Sequence, residues 1–138
     1  MLEIIERISA YFLGKGSGAK SINKEVAAVK KICHVPGIFL DIGSNRGDYA
    51  RLLLANLSKN IERLYCFEPQ VDLVKRYLDF EDKRVIVINQ ALGSYVGPAK
   101  FWQSDVDSGL GSMTKRRLNH FGIEMKNAGM VNVTTLDC

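Results

Sequence analysis

The run "GIFLDIGSNRG", residues 37–47, constrains the fold of this chain more than any other stretch. Its first half, with Ile38, Phe39, Leu40 and Ile42, is a short, near-continuous apolar run led in by Pro36 and Gly37. Such a run suits a strand covered on both faces. Its second half is a glycine-bearing turn, and the spacing of Leu52, Leu53, Leu54 and Leu57 predicts a helix over about 47–58. The pattern then repeats. "RLYCFEP" (63–69) is a second strand stopped by Pro69, and 71–80 is a helix with Leu73, Val74, Tyr77 and Leu78 as its stripe. "RVIVINQAL" (84–92) is a third strand. The order β-α-β-α-β predicts right-handed crossovers and a doubly wound parallel α/β sheet.

The flanks read differently. Residues 2–13 place Leu2, Ile5, Ile8 and Phe12 on one helical face, with Glu3, Glu6 and Arg7 elsewhere. A helix capping a core is the commoner outcome of such a pattern, and a membrane-surface helix the rarer one. "GKGSGAKS" is a glycine-rich joint rather than a phosphate loop, because it follows a helix and not a strand. Ser21 is a candidate cap for a helix over 22–33 that turns Ile22, Val26, Val29 and Cys33 to one side. These features divide the chain into an N-terminal helical segment, 1–36, and a second unit, 37–138. Beyond the third strand, "GPAKFWQS" (97–104) reads as an antiparallel strand and "DVDSGLGSM" (105–113) as a loop. Residues 114–130 hold a short helix at most, and "VNVTTLD" (131–137) is a last strand.

A chain of 138 residues is at most one domain, and its net charge of +4 is scattered. The small knots Lys30-Lys31 and Lys115-Arg116-Arg117 fall short of a nucleic-acid arm or a polybasic membrane patch, so neither partner is expected. Cys33, Cys66 and Cys138 lack disulfide or metal-site spacing, which points to a reducing, cytoplasmic compartment and to no metal. The first residues do not form a signal peptide, since charges interrupt them.

The chemistry concentrates in the turn. Gly43 suits the positive φ of a sharp strand-to-helix turn and allows a ligand close to the backbone. Gly47 lies where the helix packs near the strand. The free N–H groups of the helix start face any ligand there. Compared with the dinucleotide fingerprint G-x-G-x-x-G, one glycine is missing and Asp41 precedes the turn. A pyrophosphate would be repelled by that acid; a cationic amine or sulfonium would not. Glu68, closing the second strand, can accept hydrogen bonds from ribose hydroxyls, which fits NAD or S-adenosylmethionine. At the end of the third strand, Asn89 and Gln90 can offer amides to an adenine edge, and Ala91 or Leu92 an apolar surface. The carboxyl ends of successive strands converge on one crevice, so the three elements support one another.

These residues resemble a family. "DIGSNRG" is similar to the first motif, D-x-G-[AS]-N-x-G, of the FkbM-type S-adenosylmethionine-dependent methyltransferases, and "FEP" (67–69) to their second-strand motif. "NQALGSYVG" and "VTTLD" resemble later elements, so the likeness runs from about Gly37 to Asp137. It implies a Rossmann-like class I methyltransferase fold with S-adenosyl-L-methionine as cofactor. By the resemblance, Asp41, Gly43, Ser44, Asn45 and Gly47 border the methionine part, Glu68 with Pro69 holds the ribose, and Gln90 and Ala91 line the adenine. The implied reaction is methyl transfer to a hydroxyl of a sugar or other small molecule. No general base is evident: Asp105, Asp107 and His120 lie in the tail, and His120 beside Phe121 reads as a packing residue.

The family pattern also implies further strands after "TLD". Without them the sheet is incomplete at the C-terminus, the first strand is an open apolar edge, and a dimer or a further segment is expected to cover it. Three readings follow: a methyltransferase with weak or no activity in this short chain, a non-catalytic binding or dimerisation module, and, third, an NAD-linked oxidoreductase.

Overall fold

A computed structural model describes residues 18–104 and 109–137. The expected helix over 2–13, Asp105, Asp107 and Cys138 lie outside the described residues. The first described helix, α1, spans Gly18–Ile32, so Ser21 lies within it rather than capping it. Its Ile22, Val26 and Val29, with Cys33 just past its end, all reach the core, the side expected from their spacing. No described helix is long and apolar enough to cross a membrane.

Next come β1 (Gly37–Ile42), α2 (Asp48–Leu57) and β2 (Ile61–Phe67). The second crossover is one α-helical turn, α3 (Val71–Val74), followed by a 3-10 stretch over Lys75–Asp79, where a single helix was expected. Two β-branched valines weaken the α-helix. Tyr77 is also fixed from outside its own segment, since its hydroxyl donates to the Ser44 carbonyl at 2.9 Å. The strands β1, β2 and β3 (Val85–Ile88) pair in parallel in the order β1-β2-β3.

Strand alternation sorts the sheet into two faces. Phe39, Leu64, Cys66, Val85 and Val87 pack with α1, α2, Tyr77 and Phe80 into the main core, where Leu53 and Leu64 are almost wholly buried. Each such leucine contributes about 2 kcal/mol of apolar burial. The described helices that build this core therefore lie on one face. The other face carries Ile38, Leu40 and Ile42, which are 64%, 43% and 60% exposed. A strand covered on both faces was expected here; among the described residues it is covered on one, and β1 is also the sheet's outer strand.

The expected third strand divides. β3 ends at Ile88, and β4 (Ala91–Leu92) belongs to a second sheet with β5 (Gly97–Gln103) and β6 (Lys126–Thr134), in the order β4-β6-β5. The break has a local cause. The Gln90 N–H turns back to the Ile88 carbonyl at 2.9 Å, and the Asn89 amide donates to the carbonyls of Glu68 and Pro69. β5 pairs antiparallel with β6, as its sequence suggests. β6 begins five residues before the expected 131 and leaves "TLD" outside the strand. A register shift that skips Ala128 interrupts its alternation, and Gly129 has φ +99. In place of a short helix, residues 114–125 hold one 3-10 turn, Asn119–Phe121. The second sheet's core is small: Ala91, Ala99 and Val133, flanked by Met113 and Val131.

At the opposite end of β2 from the turn, Arg84 gathers loose chain. It donates to the carbonyls of Ser58 and Ile61, to the Ser58 hydroxyl, and to both oxygens of Asp82. Those bonds from Arg84 hold the Asp82 carboxyl down to about 2.

Candidate functional site

The turn after β1 is fixed from both sides. The N–H groups of Gly43 and Ser44 both donate to the Phe67 carbonyl, at 2.9 and 3.0 Å, which continues the β1–β2 ladder into the turn. Three residues adopt positive φ: Gly43 (+76), Asn45 (+50) and Gly47 (+81). Asparagine is among the few side-chain-bearing residues that accept this region readily. Gly47 is constrained twice, because a Cβ there would stand 2.9 Å from the Tyr77 ring. Gly43 is different: a Cβ would meet nothing within 4 Å. The space beside it belongs to an open cleft.

Glu68 joins the two turns. Its Oε2 accepts the Asn45 N–H and its Oε1 the Gln70 N–H, each at 2.9 Å, and the residue is 3% exposed. Burial raises its pKa, while the Gln70 and Asn45 N–H groups act against that. The Gln70 side chain also hydrogen-bonds to this carboxylate, which leaves it capacity for a further donor. Asp41 is buried as well, and its Oδ2 has no hydrogen-bond partner. Burial, and then the charge of Glu68, push its pKa up to about 6. The same region raises the Cys66 thiol to about 12, by burial first and the Asp41 charge second.

A cleft of about 340 Å³ opens at the carboxyl ends of β1 and β2. That is within the range of small-molecule sites, which are roughly 300–1,000 Å³. Of the residues singled out in the sequence, Ile42, Gly43, Asn45, Phe67, Glu68, Pro69, Ala91 and Leu92 line it. Asp41, Ser44, Gly47, Asn89 and Gln90 are not among its lining residues. Asp41 lies on the helix-covered side of β1 and acts on the cleft only through its charge. Ser44 and Gly47 shape the turn from behind. Asn89, expected to offer its amide to a ligand, spends that amide on the backbone of Glu68 and Pro69. His120 is exposed, tilted against the Phe121 ring at 4.1 Å, and is not in the cleft wall.

The sequence reading missed Gln70 beside the floor and the far wall, where Phe101, Gly111, Ser112, Met113 and Arg116 face the cleft. One signal was available in the glycine-rich loop. Gly111 lies so close to Phe101 that a Cβ would stand 2.6 Å from its ring, so only glycine permits this approach. The loop is anchored where the Trp102 and Ser112 backbones exchange hydrogen bonds of 2.8 and 2.9 Å. The cleft therefore sets a buried carboxylate, Glu68, against a cationic rim residue, Arg116.

Comparison with known proteins adds little to this geometry. No family model matches the chain, and no curated protein is significantly similar to it. A solved structure is similar in part: methyltransferase FkbM from Methylobacillus flagellatus KT, 15% identical, with a TM-score of 0.43 over 75% of this chain. The chain spans about 22% of that protein's length. A likeness this slight carries no argument about function.

Proposed function

We propose that this chain carries the S-adenosyl-L-methionine-binding part of a Rossmann-like methyltransferase that modifies a hydroxyl of a sugar or another small molecule. The reading rests on the motifs "DIGSNRG" and "FEP". The observation that carries it is the cleft in which the two turns meet on Glu68. Its donor set fits such a cofactor. Glu68 has acceptor capacity left for a ligand hydroxyl, and Ala91 and Leu92 offer apolar wall. The Asp41–Glu68 pair suits a cationic centre and repels a pyrophosphate. Arg116 on the rim suits a carboxylate, so the cleft as a whole favours a zwitterion.

S-adenosyl-L-methionine supplies an electrophilic methyl group on a sulfonium. The protein's share is then alignment of donor and acceptor and exclusion of water. Glu68 holds the two turns in place. Gly43 leaves room beside the backbone, and the 109–116 loop forms the opposite wall. We assign the general base to no described residue, since the acceptor capacity that Glu68 has left is assigned to the ribose. A second reading, a non-catalytic module completed by a second copy or a further segment, draws support from the open edge and exposed face of β1.

Calorimetric titration with S-adenosyl-L-methionine and, separately, with NAD tests the assignment. Glu68→Ala should weaken S-adenosyl-L-methionine binding about 10- to 100-fold, since bonds to a charged acceptor are worth about 1.5–3 kcal/mol. Unchanged affinity in that variant removes Glu68 from the ribose role, and tighter binding of NAD overturns the cofactor.

A further inference from the structure

Among the described residues the parallel sheet has a helix-covered face and an open one, and the open one is apolar along β1. The ladder places Leu40 beside Tyr65 and Ile42 beside Phe67 on that face. The β2 side is already sheltered, with Tyr65 half-buried and Phe67 buried. The exposure concentrates on the β1 row, Ile38, Leu40 and Ile42, and continues into Val35, 73% exposed, just before the strand. Three large apolar side chains in one row on one strand face are a patch, not scattered surface residues.

We propose that this row is the docking surface for residues 2–13 of the same chain, which lay the stripe Leu2, Ile5, Ile8 and Phe12 on it as a helix. Four observations favour that occupant. The stripe has helical spacing and must be buried against something. Twelve residues of helix run about 18 Å, close to the roughly 20 Å of a six-residue strand, and one helix about 10 Å wide covers two strands. The connection to α1 includes Gly14 and Gly16, and from Leu13 to Gly18 it can span about 17 Å, with β1 the outer strand to pass around among the described residues. The charges also complement: residues 2–13 carry Glu3, Glu6 and Arg7, an excess of one acid, in a chain of net +4, and Arg63 lies beside Ile38 on the open face. With this helix in place the sheet is covered on both faces, as its apolar strands require. Ile42, at the end of the row, also lines the cleft, but the proposal uses nothing of the cofactor reading.

Methyl-labelled NMR of the full chain tests it. Cross-relaxation is expected between the methyl groups of Ile38, Leu40 and Ile42 and those of Leu2, Ile5 and Ile8. It should persist undiminished when labelled protein is diluted into unlabelled protein. Ile5→Asp with Ile8→Asp should abolish these contacts, shift the β1 methyl signals and raise binding of a hydrophobic dye severalfold. Contacts that appear only between differently labelled molecules assign the surface to a second copy and overturn the proposal. Absence of any contact, or β1 signals indifferent to the double substitution, overturns it too.

Discussion

The two sheets of this protein differ in what holds them. The parallel sheet rests on eight buried residues from the strand β2 and three helical segments, including Leu53, Leu57 and Leu64. The β4-β6-β5 sheet rests on three, two of them alanines. Its ordering comes instead from the long antiparallel β5–β6 pairing. Apolar burial scales with area, so the first sheet is the thermodynamic centre and the second is held largely by local backbone pairing. The cleft lies between them: its floor is on the strong sheet and its far wall on the weak one.

Leu64→Ala should strike hardest, removing a side chain that is 0% exposed at the centre of the first core. A loss of about 4 kcal/mol in urea-induced unfolding is expected. A loss below about 1 kcal/mol would mean that this core does not dominate stability. Gly47→Ala combines a left-handed backbone with collision against Tyr77, and about 3 kcal/mol should be lost in the same measurement.

Asp41→Asn comes next and acts through pH. The folded protein holds the Asp41 proton up to about pH 6, whereas the reference carboxyl releases it near 3.8. The stability this proton contributes is therefore present below about pH 4 and is lost as pH rises through 6. Relative to the parent, Asp41→Asn should gain on the order of 2–3 kcal/mol between pH 4 and pH 7.5, read from denaturation curves at both. A difference that stays constant with pH would place this carboxylate in water.

The smallest effect is expected in the second sheet. Val133→Ala should cost about 2 kcal/mol. Hydrogen exchange should quicken across β5 and β6 while the amides of β2 keep their protection. Equal acceleration in both sheets would show that they unfold as one unit and erase the contrast.

The sequence shows the first sheet more clearly than the second, for a physical reason. In β1 and β2 the apolar runs, the glycine turn and Pro69 are local signals, and local chemistry decides those elements. The break at Asn89 is not local: it depends on carbonyls of Glu68 and Pro69 some 20 residues away. Helix α3 gives way to a 3-10 stretch whose Tyr77 bonds a carbonyl 33 residues back. β6 hides its length behind a bulge at Ala128 and Gly129 that interrupts the period of two. In the site, the residues that form the near wall are visible as a motif. The far wall is brought there by tertiary packing, with the glycines of its loop as the only trace. Asp41 was legible as an acid near the turn, but its place behind the turn depends on which face of β1 the helices cover.

The Asn89–Gln90 break sets the dimensions of the cleft. Among the described residues it is the one covalent link between the two sheets, and it is two residues long. The Asn89 amide latches it to the very segment, Glu68-Pro69, that forms the cleft floor. Gape between floor and far wall is thus governed at a pivot rather than by the side chains that line the opening. A residue inserted at 89 or 90 would widen the mouth without altering a single lining group.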